Sequence, residues 1–111
     1  MEDADFWATI EVARRRREFV VKLTKRKAEA FSKRAFELVA ALDTPAHHRA
    51  AESVIGGLPG DAWEDTRAWV IAGGQENYDA VLREPALLAA LLSAVDPGDV
   101  SLGESILYPG N

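Results

Sequence analysis

Phe19-Val-Val-Lys-Leu-Thr-Lys-Arg-Lys-Ala-Glu-Ala-Phe-Ser-Lys-Arg-Ala-Phe-Glu-Leu-Val-Ala-Ala-Leu42 decides how the rest of the chain is read. Placed on a wheel at ~100° per residue, Val20, Val21, Ala28, Phe31, Ala35, Leu38, Val39 and Leu42 gather on one side, which predicts a helix with one face in a core. The opposite side carries Lys22, Arg26 and Lys33, flanked by Lys25, Lys27 and Arg34. Extended backward, the same wheel brings Arg15 to the centre of the basic face but turns Arg17 toward the apolar side. A bend or short turn is therefore expected at residues 16–18.

Outward from this segment the chain breaks into further short helices. Asp3 or Asp5 can cap a first helix carrying Phe6, Trp7, Ile10 and Ala13 at helical spacing. After residue 42, Thr44 serves as an N-cap and Pro45 suits a first helical position, which predicts a third helix over 45–55. Three glycines and a proline in residues 56–60 allow no regular element. Asp61 is then expected to cap a fourth helix with Trp63, Thr66, Arg67, Val70 and Ile71 on one face and Trp69 on its flank. Gly73-Gly74 ends it. Short fifth and sixth helices follow, one bearing Tyr78, Val81 and Leu82, the other starting after Pro85 with Leu87, Leu88, Leu91, Leu92 and Val95. The tail from Val100 reads as extended, with Ile106, Leu107 and Tyr108 docking onto the helices. With no strand pair and no repeat, the expectation is a single all-α domain over 1–111, a bundle of five to six helices with an extended C-terminal tail.

Composition narrows the function classes. The chain has 111 residues and no Cys, so disulfides, thiolate catalysis and sulfur-ligated zinc are excluded, and a reducing cytoplasm suits it. Its acidic start is unlike a secretory signal, and its most apolar run, residues 86–95, is about half the roughly 20 residues a membrane span needs. The net charge of −5 conceals segregation: residues 1–11 carry −4, residues 12–34 carry +8 and residues 35–111 carry −9. Such asymmetry marks either a surface for an acidic partner or a basic helix lying in its own protein's acidic field.

Residues 61–81, followed by Pro85-Ala-Leu-Leu, resemble a family of small bacterial domains, domain of unknown function 4240, in which a central FRxWLIxxGxxxYxxAL-like motif precedes a proline-led helix. Phe6-Trp7-Ala8-Thr9-Ile10 matches the family's FWxxI start, Val54-Ile55-Gly56-Gly57 its VIxGG-like turn, Arg67-Ala68-Trp69-Val70-Ile71 the central motif, and Ile106-Leu107-Tyr108 its FLY-like tail. The match covers about two thirds of the chain. Thr66 stands where the family has an aromatic residue, and His47-His48-Arg49 replaces an expected aromatic pair. Residues 14–34 have no clear counterpart. Because the family has no established activity, the resemblance implies architecture and no mechanism.

Candidate chemistry is sparse. His47 and His48 are adjacent, so on a helix they point ~100° apart and cannot share a metal; both are expected on a solvent-facing surface. His48 and Glu52 share a face but supply two ligands where a zinc site wants three or four. Asp61, Glu64 and Asp65 suit a helix's first turn and need no catalytic explanation. No metal, cofactor or catalytic residue is assigned, and the sequence leans away from an enzyme. Arg67 with Trp69 marks either an anion site or a structural pair, in which Arg67 meets a carboxylate, the first helix being one source, while its stem packs on a ring. The face formed by Lys22, Lys25, Arg26, Lys33 and Arg34 is the candidate binding surface. The leading expectation is a non-enzymatic domain that acts through protein contacts, with an acidic protein partner or self-association. The alternatives are a nucleic-acid-binding module using helix 19–42 and a small enzyme or metabolite-binding protein with its anion site at Arg67.

Overall fold

The computed structural model describes residues 1–15, 24–95 and 104–107. Among these residues there are six helices and one further helical turn: α1 (Asp3–Arg15), α2 (Lys25–Ala41), α3 (Pro45–Ile55), α4 (Gly60–Ala72), α5 (Gln75–Arg83), α6 (Ala86–Ser93) and α7 (Glu104–Leu107). The expected all-α bundle is what the chain forms. No helix among the described residues is long and apolar enough to cross a membrane.

α2 is shorter than its wheel predicts. Thr24 is extended (φ −61°, ψ 156°), and its hydroxyl accepts from the Lys27 amide, so this residue starts the helix and does not continue one from residue 19. The bend expected at residues 16–18, the apolar Val20 and Val21, and the basic Lys22 all lie outside the described residues. Within α2 the apolar face lies as read: Phe31 and Ala35 are fully buried, and Leu38, Val39 and Leu42 nearly so.

α4 occupies the centre. Trp63, Thr66, Ala68, Val70 and Ile71 are all sealed from solvent, and the helix touches α1, α2, α5 and α7, while α3 pairs chiefly with α6. Thr66, standing where the family has an aromatic, keeps its buried hydroxyl bonded to the Ala62 carbonyl at 2.7 Å. α4 begins two residues earlier than expected, after Pro59. That residue caps it with no side-chain bond, and Asp61 sits inside the first turn, where its charge still favours the helix dipole.

α1 lays Phe6, Trp7 and Ile10 against this centre. The Phe6 ring stacks on Phe31 at 4.5 Å and meets Trp7 edge-on at 5.1 Å, tying α1 to α2. On the outside, Arg34 grips Asp3 with two bonds, Nε to Oδ1 at 2.9 Å and Nη2 to Oδ2 at 3.1 Å. Ile106 and Leu107 dock into the core as expected, but the described part of the tail is a helical turn and not an extended strand. Ser32 holds it by donating to the Leu107 carbonyl at 2.6 Å.

Candidate functional site

The basic face of α2 is exposed at its N-terminal half. Lys25, Arg26, Lys27 and Lys33 all face solvent, and none of them meets a carboxylate among the described residues. Arg34 differs. Its side chain is held between Asp3 and Glu37, and the bonded Asp3 carboxylate raises its pKa further above the ordinary arginine value. The exposed basic surface therefore comprises four cations with Glu29 beside them, and Arg34 belongs to the α1–α2 junction.

Arg67 is in the interior. Its Nη1 donates to the Val39 carbonyl at 3.0 Å and its Nε to the Trp63 carbonyl at 3.3 Å, while the guanidinium carbon lies 5.1 Å from the Trp63 ring centre. The carboxylate beside it, Asp43 at 3.6 Å, comes from the α2–α3 connection and not from α1. Asp43 also accepts from the Trp63 indole at 2.9 Å. Burial lowers the Arg67 pKa from its ordinary value, with Asp43 and then Glu64 opposing that shift. Trp69, its flanking partner in the motif, is half-buried against the core.

Arg67 and Tyr78 share a task that their spacing does not announce. The last four carbonyls of any helix lack partners within it. At the end of α2, which has no basic residue in its last turn, Leu38 receives the Tyr78 hydroxyl at 2.7 Å and Val39 receives Arg67. Two motif residues, one from α4 and one from α5, thus close the C-terminus of α2, and the positive charge on Arg67 sits at the negative end of the helix dipole. Burial pushes the Tyr78 phenol above its ordinary value of 10.0.

His47 corrects the reading of a solvent-facing pair. It is 3% exposed, with Nε2 2.8 Å from the Val81 carbonyl and Nδ1 2.6 Å from the Thr44 hydroxyl. A carbonyl only accepts, so Nε2 carries the proton and Nδ1 accepts from Thr44, whose oxygen in turn accepts the His47 amide as N-cap. His47 thereby joins α3 to α5. His48 stays half-exposed, 3.3 Å from Glu52, and no third ligand joins them among the described residues.

A cleft of about 560 Å³ lies where α1 passes the turn into α5. Ala4, Trp7, Ala8, Glu11 and Arg14 form one wall and residues 73–77 the other. Gly74 is the hinge of the second wall. Its φ of +99° is accessible to glycine, and a Cβ there would come within 3.0 Å of Glu11 Oε1. The sequence reading missed this cleft, taking Gly73-Gly74 only as a helix terminator.

The FWxxI segment and the GxxxY segment, which carry much of the family resemblance, therefore meet in space: the Trp7 and Tyr78 rings are 5.6 Å apart. A family model described as "Protein of unknown function (DUF4240)" matches residues 1–111. The chain belongs to that family. The match spans the whole sequence, including residues 14–34, for which motif reading found no counterpart in DUF4240. No curated protein and no solved structure matches the chain.

Proposed function

We propose that this DUF4240 domain is a contact module that engages an acidic protein surface through the outward side of α2. The observation that carries this reading is the set of four solvent-facing cations, Lys25, Arg26, Lys27 and Lys33, without a carboxylate partner among the described residues. The geometry favours a protein over a nucleic acid on two counts. Phe31 and Phe36 of α2 pack into the core and offer no ring for base stacking. Residues 35–111 carry −9, which would repel a long polyanion lying across the domain. Arg67 supports no anion site, because its donors already serve two carbonyls and its charge has Asp43 beside it.

The test uses the full chain immobilised as wild type and as the variant carrying Lys25→Glu, Arg26→Glu, Lys27→Glu and Lys33→Glu. A host protein retained by the wild type at ~50 mM salt, released as salt approaches ~300 mM and not retained by the variant is the expected outcome. Identical retention by the two chains, or retardation of a 30-base-pair duplex by the wild type alone at the same ~50 mM salt, would overturn the reading.

A further inference from the structure

α2 leaves one continuous stripe of its surface open to solvent. Arg26, Glu29, Lys33, Glu37 and Ala40 are all exposed and follow one another at three- and four-residue spacing, so they line the outer side of the helix. Charge is divided along this line. Its leading half holds Lys25, Arg26, Lys27 and Lys33 against Glu29, whereas its trailing half holds Glu37 and, just past the helix, Asp43. The first turn contains no acid and the last turn no base, so the leading cations and Asp43 each stand at the end of the helix dipole that disfavours them. Over the 17 residues of α2 these groups are about 25 Å apart, roughly three Debye lengths at physiological ionic strength. They cannot neutralise one another within a single chain.

A second copy laid antiparallel on this stripe removes the conflict. A two-fold axis at the level of residue 35 sets Lys33 of each copy opposite Glu37 of the other and Arg26 opposite Asp43, and it leaves Glu29 facing the small Ala40 and Ala41. The cationic leading turn of one helix then lies beside the negative trailing end of its mate. Both carboxylates have capacity for this. Glu37 is 52% exposed and receives only Nη1 of Arg34, at 3.4 Å, because Nε and Nη2 hold Asp3; Asp43 is 57% exposed.

We propose that the outward side of α2 is the interface of a two-fold dimer, in which a second copy of this chain packs antiparallel through Lys33–Glu37 and Arg26–Asp43 pairs. This rests on the reading of α2 as a contact face and names its occupant. The association is weak and salt-sensitive, because the stripe offers charge and alanine but no large apolar anchor. The net charge of −5 on each copy opposes approach from afar. Paired helices lie about 8–10 Å apart, inside the ~14 Å Debye length of 50 mM salt, where the local pattern of charge decides.

Sedimentation equilibrium of the full chain from ~0.02 to ~2 mM tests this. At ~50 mM salt the mass should rise from one chain to a plateau at two, with a Kd of about 0.1–1 mM, and the Kd should weaken at least ~5-fold by ~300 mM salt. Lys33→Glu and Glu37→Lys, each counted twice across the axis, should each weaken association at least ~10-fold. An equimolar mixture of the two variants should associate as well as the wild type. Lys33 and Glu37 also stand four apart on one helix, and the mixture separates the cases, since it restores pairs between copies but none within a chain. Both positions are exposed, and unchanged circular dichroism reports an intact fold. A mass of one chain up to ~2 mM at ~50 mM salt, a mass that climbs past two copies, or a mixture no better than its components overturns the dimer. The broader contact reading falls separately, only if the variant with four glutamates on α2 retains the same host protein as the wild type.

Discussion

Replacing Arg67 by Met tests whether this arginine latches α2 or serves a ligand. The substitution keeps an unbranched stem in the α4 core and removes the bond to Val39, the ring contact with Trp63 and the charge near Asp43. A hydrogen bond from a charged donor contributes about 1.5–3 kcal/mol and a cation–π contact about 0.5–2 kcal/mol. Two facts pull the sum down. The Val39 carbonyl keeps a second partner, the Leu42 amide at 3.1 Å, so it is not orphaned, and burial already disfavours the charge that is removed. The expected loss is therefore ~1–3 kcal/mol, which at roughly 4 °C per kcal/mol lowers the Tm by about 4–12 °C. Urea unfolding followed by tryptophan fluorescence gives the free energy, and thermal circular dichroism gives the Tm. Asp43→Asn supplies the control: its side chain is 57% exposed and the amide oxygen can still accept from Trp63, so coupling to Arg67 in a double-mutant cycle should stay below ~1 kcal/mol. If Arg67→Met unfolds within ~0.5 kcal/mol of the wild type, or if the coupling to Asp43 accounts for most of the loss, the carbonyl-capping argument is wrong.

Two other substitutions probe the same network. Tyr78→Phe removes the bond to Leu38 and should cost ~1 kcal/mol near neutrality. Because burial raises the folded-state pKa of this phenol, its contribution is whole below about pH 10 and is lost as pH climbs through the folded value. The wild type should thus lose stability more steeply than Tyr78→Phe in alkaline urea titrations. At His47, glutamine can place its amide nitrogen near the position of Nε2 and still donate to Val81, whereas alanine leaves that carbonyl unmet. His47→Gln should retain at least ~1 kcal/mol over His47→Ala, and equal unfolding midpoints would remove His47 as the α3–α5 tie.

Local chemistry made most of the fold legible. Thr44-Pro45 and Gly56 bound α3 because each acts through its own backbone: the hydroxyl caps His47, the ring suits the first turn, and Gly56 takes φ +88°. The buried face of α2 follows from its period. The same period concealed Thr24, because an apolar stripe drawn through a threonine looks continuous whether the backbone there is helical or extended. His47 was hidden for a different reason. Its burial depends on the Val81 carbonyl, 34 residues away, and a carbonyl has no sequence signature. The same holds for Arg67: the ring contact was readable from the i, i+4 spacing to Trp63, but its main acceptor is backbone. The cleft needed Trp7 and Gly74 in one place, and the relevant signal, a glycine pair before a helix with no capping side chain, was present but was read only as an ending.

The closure of α2 by Arg67 and Tyr78 has a consequence for the order in which the domain can assemble. Synthesis delivers residues 24–42 early, with Thr24 already able to pin the leading turn, while the two latches arrive 28 and 40 positions after the carbonyls they serve. Until they do, the trailing turn of the nascent helix frays in water, and its final winding coincides with the arrival of α4 and α5.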